Sequence, residues 1–356
     1  MPPGKARPVS NVLSAEKRAA VASALVEGCS VSTTSRLTGV SREAIHRLLL
    51  LLGQGCQRLH NKLVRGIDPG AIEMDELWTF VHKKERRVGQ GEPAEWGDNY
   101  VYVAMGRHSK LVIAWRVGKR DQATTDAFMR DVRARVRGIV DLSSDAFSCY
   151  EPAIAASFRG TANHGIVTKN YSRKPRRFDG PRREDHRYEP PRDPFITKRA
   201  GCGAPDLDKA STSLIERQNW TTRGGLRRMT RLSNGFSHKK AALDAAVSLW
   251  YAYYNFCRWH ETLRCSPAMQ AGVTGSIWTM AELVDAALTA EPCEPPQVEP
   301  VAPPEGPAAR QTSTGAWLRA VPNERQGDLF EWAAQRPIKT LPPVGTQLSL
   351  FPSAPP

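Results

Sequence analysis

Three carboxylates are spaced along the chain so that they could share a metal site: Asp75, Asp145 and Glu216, 70 and 71 residues apart. Asp75 and its neighbour Glu76 interrupt the apolar run from Ile72 to Val81. Burying a carboxylate in such a run is costly unless it is paired or holds a cation. Three acidic groups within a few Å repel strongly unless divalent cations neutralise them, and an all-oxygen donor set suits Mg²⁺, with Mn²⁺ as a substitute. Two such ions about 4 Å apart can activate a water or a 3′-hydroxyl and stabilise the leaving oxygen of an in-line phosphoryl transfer. Taken alone, Asp75-Glu76 also fits the solvated half of a sheet edge. Glu76 and Asp141 are the rival ligands. Strand alternation points Glu76 away from Asp75, and Asp141 lies four residues before the strand end, deeper in the sheet.

The elements that would position these groups follow from local patterns. Ile72–Val81, Tyr100–Met105 and Leu111–Val117 are rich in β-branched and aromatic residues and read as strands with short connections, an antiparallel meander. Residues 83–98 form the first hairpin loop. Thr124–Arg137 has helical spacing through Ala127, Phe128, Val132 and Val136, and Gly138–Asp145 reads as a fourth strand ending in a carboxylate. A helix over Tyr150–Phe158 and a short strand over Gly165–Thr168 complete a βββαβαβ pattern, an α/β mixed sheet with helices on its faces. First and fourth strands are neighbours in such a sheet, which brings Asp75 and Asp145 to one end. The helix from Ser213 to Arg223, interrupted by Gly224-Gly225, would cross that end and add Glu216. Lys239–His260 reads as a long helix packed through Ala242, Ala246, Leu249, Trp250, Tyr253, Tyr254 and Cys257.

The 356 residues carry a formal net charge of +14, which implies a polyanionic partner, nucleic acid before membrane, because no long apolar run is present. Met1–Asn11 lacks the apolar core of a signal peptide, so a cytoplasmic, nucleoid-associated protein is expected. Seven cysteines without a Cys-x-x-Cys pair read as reduced thiols; Cys257, His260 and Cys265 match no standard zinc spacing. Residues 14–50 read as a helix-turn-helix. Ser14 opens a helix that Gly28 ends, Val31–Thr38 is a second helix, Gly39-Val40 turns, and Ser41 caps a third whose inward face is Ala44, Ile45, Leu48 and Leu49. Arg42, Glu43, His46 and Arg47 face outward, and of these Arg42, His46 and Arg47 are candidates to touch bases. Gly53–Gly70 reads as a basic connector. The run containing Arg173, Lys174, Arg176, Arg177, Arg182 and Arg183 lies in an inserted loop, 171–210, suited to phosphate contacts without sequence preference.

Three blocks resemble those of DDE transposases of bacterial insertion sequences: Met74-Asp75-Glu76-Leu77-Trp78-Thr79-Phe80-Val81, Ser144-Asp145-Ala146-Phe147-Ser148-Cys149-Tyr150 and Ile215-Glu216-Arg217-Gln218-Asn219. The Asp-Glu-x-Trp and Glu-Arg-x-Asn forms are most similar to the insertion-sequence-one group. Tyr254–Leu263 followed by Ser266-Pro267-Ala268-Met269 is similar to the segment that closes many such cores. The resemblance spans roughly residues 70–275 and implies an RNase H-like fold with Asp75, Asp145 and Glu216 as metal ligands. The spacings are wider than in compact members of that group, and no Cys-x-x-Cys pair precedes the helix-turn-helix.

The expected organisation is a helix-turn-helix domain over 1–52, a basic linker over 53–70, an RNase H-like core over 71–275 and a mostly disordered Pro-rich tail over 276–356. The expected activity is cleavage and strand transfer at element ends, by a homo-oligomer assembled on end and target DNA. A non-catalytic DNA-binding regulator and a structure-selective nuclease of the same fold are the alternatives. Near the C-terminus, Gln347, Leu348, Leu350 and Phe351 form a Gln-Leu-x-Leu-Phe peptide like those that dock on the replicative sliding clamp, with an echo at Gln326–Phe330.

Overall fold

The computed structural model describes residues 13–170, 195–297, 310–311 and 317–318. The basic run 173–187 and the clamp-like peptide 347–351 lie outside the described residues. The first helices form where their caps place them. The Ser14 and Ser41 hydroxyls accept from the backbone N–H groups of Lys17 and Ala44, opening α1 (Ala15–Val26) and α3 (Arg42–Leu63). Ser30 does the same for Thr33 at the start of α2 (Val31–Thr38), which Gly39 ends in the left-handed conformation at φ 69°.

α3 does not stop at residue 52. It runs unbroken to Leu63, so the segment expected as a linker is helix as far as that residue, and the expected boundary falls inside it. Its apolar stripe continues through Leu52, Cys56 and Leu59, all buried. Two glycines explain the close packing. A Cβ on Gly53 would lie 2.3 Å from Ala245 Cα, and one on Gly55 would lie 1.9 Å from the Ala287 carbonyl oxygen.

Six strands form one mixed sheet in the order β3-β2-β1-β4-β5-β6. β1 (Ala71–Val81), β2 (Gly97–Gly106) and β3 (Val112–Gly118) make the expected antiparallel meander, and β4 (Val140–Ser144) pairs parallel with β1. β5 (Ala162–Asn170) follows in parallel. β6 (Phe195–Cys202) pairs antiparallel with β5 and was not expected, since it lies inside the segment read as a basic loop. It is an edge strand with most side chains in solvent, so it carries no apolar alternation to reveal it.

Helices cover both faces, the α/β mixed sheet expected of an RNase H-like core. α4 (Gln122–Arg135) and α5 (Tyr150–Phe158) lie on one face; α3, α6 (Ser213–Gly225) and α7 (Lys240–Ala252) lie on the other. Gly224-Gly225 are the last residues of α6 and do not interrupt it. α7 is shorter than expected: after Ala252 the chain makes a single π turn over Tyr253–Cys257 and leaves the helix. That turn aims Asn255 at the outer strand, where its amide accepts from Val112 N and donates to Val112 O, each at 2.9 Å. α8 (Pro267–Gln270) leads to α9 (Met280–Thr289), which opens on a capping box between Thr279 and Glu282. α9 falls in the stretch expected to be disordered; buried Leu283, Val284 and Ala287 pack it on α1 and α3. One apolar cluster runs from Val21 in α1 through the sheet to Ala287, so the N-terminal helices and the sheet share a core. Farther along, β7 (Arg310–Gln311) and β8 (Trp317–Leu318) form a two-residue antiparallel ladder in a separate unit. All seven cysteines are free, and no described helix is long and apolar enough to cross a membrane.

Candidate active site

The site forms where β1 and β4 part. Their parallel ladder ends at Glu73↔Ser143, so beyond Glu73 the β4 side of β1 has no neighbouring strand along Met74–Phe80 among the described residues. Asp145 follows β4 directly and is held by its own loop, its Oδ1 accepting from Phe147 N at 3.0 Å. α6 is fixed over the same end by Glu73. This carboxylate, fully buried, accepts from the N–H groups of Leu214 and Ile215 at 2.9 and 3.1 Å and from Arg107 Nε at 3.1 Å. It satisfies the first turn of α6, where Thr212 makes no side-chain cap, and favours the helix dipole.

With α6 so placed, Asp75, Asp145 and Glu216 line one open cleft of about 680 Å³, as their order in the sequence leads one to expect. Each is held differently. Asp75 Oδ2 accepts from Asn219 Nδ2, one helical turn beyond Glu216, at 2.7 Å. Burial pushes the Asp75 carboxyl up to about 6, helped by Asp145 and Glu216; the Glu76 backbone N–H and Asn219 pull the other way. Glu216 accepts from Thr212 Oγ1 at 2.8 Å, and Lys169 Nζ from the end of β5 bridges both its oxygens at 2.5 and 2.6 Å.

Glu76 is the correction. Alternation does send Asp75 toward α6 and Glu76 toward α5, yet ligand oxygens of Asp75, Glu76 and Asp145 all lie within 4.8 Å of one another. Both side chains stand beside the unpaired edge of β1 and reach around it to Asp145, which a central strand would not allow. Glu76 Oε2 accepts from Arg120 Nε at 3.1 Å, and Arg120 Nη2 lies 3.7 Å from Asp145 Oδ2. The same guanidinium sits 4.0 Å over the Phe147 ring. Glu76 Oε1 and the Tyr150 hydroxyl are both buried, and the hydroxyl faces the Glu76 carboxylate as a hydrogen-bond donor. Burial raises the Glu76 carboxyl to about 7, Tyr150 and Arg120 opposing it and Asp145 and Asp75 adding to it. The other rival, Asp141, is exposed and accepts from Asn163 Nδ2 at 2.9 Å; it does not line the cleft.

Sequence reasoning missed Arg120, Lys169 and Thr212, which belong to no spaced pattern, and assigned no role to Tyr150, the last residue of the Ser144–Tyr150 block. Asn219 had a signal, being the last residue of the Glu216-Arg217-Gln218-Asn219 block. In the N-terminal helices, Arg42, His46 and Arg47 are exposed on α3, as expected. Partial burial and nearby Arg228 hold the His46 imidazole below its usual range, the Glu43 carboxylate opposing them.

No family model matches the sequence, and no curated relative does. Among solved structures the chain is similar to a piggyBac transposase synaptic complex with hairpin DNA, at TM-score 0.34 and 10% identity over 77% of this chain and 69% of that one. It is also similar to the Mos1 strand transfer complex, at TM-score 0.18 and 15% identity over 45% of this chain and 58% of that one. A pre-cleavage Mos1 transpososome gives 0.19 and 12% over 45% and 61%. Likenesses at this level identify neither a family nor a substrate for this chain.

Proposed function

We propose that the protein is a DDE-type transposase of a bacterial insertion sequence, cutting DNA at element ends and joining the 3′-hydroxyls to target DNA as a homo-oligomer. The observation that carries this reading is that Asp75, Asp145 and Glu216, from a strand, a strand end and a helix, line one cleft, where Asp75 and Asp145 lie within 4.8 Å of each other and of Glu76 while Glu216 stands across from them on Lys169. Their donor set is all oxygen, which fits Mg²⁺ or Mn²⁺. When bound, such ions supply the activated hydroxyl and the stabilised leaving oxygen of phosphoryl transfer.

The chain's own groups divide the remaining work. Asn219 fixes the carboxylate of Asp75, so that one oxygen is committed and the other stays available. Arg120 and Lys169 border the cleft and offer cations to a scissile phosphate as it gains charge. The net charge of +14 draws the polyanion in, and the exposed Arg42, His46 and Arg47 on α3 present donors to an end sequence. The basic run 173–187 adds phosphate contacts, and the peptide 347–351 docks the enzyme on a sliding clamp.

A strand-transfer assay with Mg²⁺ or Mn²⁺ on the DNA flanking the gene tests the reading. Joined products support it. Cleavage without joining indicates a nuclease of the same fold, and binding without either indicates a regulator.

A further inference from the structure

α6 separates two clefts. Beyond the carboxylates, on the side of α1 and the π turn, lies a wider one of about 820 Å³. Trp220 stands in its wall, 69% exposed, four residues after Glu216 and therefore about 6 Å farther along the helix axis. An exposed tryptophan by itself means little. Here its surroundings are selective. Arg217 places its guanidinium 5.0 Å from the Trp220 ring, and Arg223, Arg231 and Arg258 line the same cleft. Among the described residues none of these four arginines forms an ion pair. Among the described residues the cleft's one carboxylate is Glu27, which accepts from Tyr253 Oη at 3.2 Å. Cations gathered without counter-ions repel one another, and a polyanion removes that cost.

An exposed indole with one guanidinium beside it and further arginines lining the same cleft matches a nucleotide with its base unstacked from a duplex, the base on the ring and the phosphates among the guanidinium groups. Duplex DNA hides its base faces and would leave Trp220 unused. We propose that this cleft binds an unpaired nucleotide of the strand being processed, with Trp220 stacking the base and Arg217, Arg231 and Arg258 holding the flanking phosphates. The assignment rests on the DNA-processing function proposed above, and it places the unpaired base about one helical turn from the cutting site.

The test uses the full chain carrying Asp145→Asn, without divalent metal, so that binding is read apart from cleavage. Anisotropy of a labelled mixed-sequence single strand and of the matching duplex is followed for Trp220→Ala, Trp220→Phe and Arg217→Ala/Arg231→Ala. Trp220→Ala is expected to weaken single-strand binding about 5- to 150-fold and duplex binding less than about 2-fold, with Trp220→Phe intermediate. The arginine pair is expected to weaken the single strand more than the duplex. Unchanged single-strand affinity in Trp220→Ala, or equal losses on both DNAs with circular dichroism unchanged, overturns the assignment. Failure of the transposase reading shows instead as a wild-type chain that makes no products while the single-strand preference persists.

Discussion

The carboxylates of Asp75 and Glu76, consecutive residues on opposite faces of β1, come within 4.8 Å of each other and of Asp145 at the point where the pairing of β1 with β4 has ended. Asp75, Asp145 and Glu216 carry the proposed chemistry, so Asp75→Asn, Asp145→Asn and Glu216→Gln are each expected to abolish cleavage while binding to element ends survives. Glu76→Gln is expected to weaken Mn²⁺ binding about 10- to 100-fold, as removal of a charged neighbour of a metal ligand does. Asp141→Asn, on the exposed side of β4, should stay within about 2-fold of wild type. Mn²⁺ titration followed by electron paramagnetic resonance, beside the strand-transfer assay, measures both properties. Near-normal joining by any of the first three variants removes that residue from the site.

The order of strands was legible because each buried strand is a dense β-branched or aromatic run between turn signals. That Asp75, Asp145 and Glu216 border one cleft was legible as well, since a first strand, a fourth strand and a helix crossing their end bring them there; the closeness of Glu76 to Asp75 and Asp145 was not. What sequence could not supply are the long-range pairs. Glu73 was invisible as the residue that holds α6, because its partners are 141 and 142 residues away. Lys169 was invisible for the same reason, 47 residues from Glu216. β6 escaped because an exposed edge strand has no apolar face to betray it, and the extent of α3 because Gly53 and Gly55 read as breakers. Their small size is used for contact with Ala245 and Ala287.

That contact makes a stability prediction with a second, charged part. Arg135 at the end of α4 is fully buried and donates to Asp131 Oδ1 at 2.9 Å, Asn61 Oδ1 at 2.7 Å and Val64 O at 3.2 Å, tying α4 to the end of α3. Asp131→Asn leaves this guanidinium without its counter-charge and should cost about 3–5 kcal/mol. Gly55→Ala should be comparably damaging, because the clash is with backbone. Urea denaturation followed by far-ultraviolet circular dichroism measures both. A midpoint shift near zero for Asp131→Asn would show that Asn61 and the carbonyls suffice.

His164 predicts a pH dependence of stability. It is buried in β5 and shares a hydrogen bond of 2.9 Å with Ser144 Oγ, and burial drops its pKa to about 4, with Glu151 opposing and Arg199 assisting. In the unfolded chain it takes a proton near pH 6.5; in the folded chain it resists until about 4. Its contribution is therefore complete above about pH 6.5 and is lost as pH falls toward 4, on the order of 3 kcal/mol in all. His164→Gln removes the titrating group, so the difference in unfolding free energy between wild type and variant should narrow from pH 7.5 to pH 4.5. A constant difference across that range would mean that the imidazole titrates alike in both states.

The outward face of α3 predicts a division between sequence reading and charge. Arg42, His46 and Arg47 are exposed on the first turns of a helix whose opposite side is locked into the core by Ile45, Leu48 and Leu49, so their substitution leaves the fold intact. A helix held in this way can enter a major groove with its N-terminal residues toward the bases. Arg42→Ala and Arg47→Ala are expected to erase discrimination between end and random DNA, each lost base contact costing about 1–3 kcal/mol on the end sequence alone. Neutralising Arg173, Arg176 and Arg177 is expected to act differently: affinity falls alike on any duplex, and the dependence of log K on log salt flattens by about one unit per lost phosphate contact. Footprinting on the element ends, with competition by random duplex at several salt concentrations, separates the two. A footprint that survives Arg42→Ala/Arg47→Ala unchanged would move sequence recognition off α3, and the basic run would then have to be tested for it in turn.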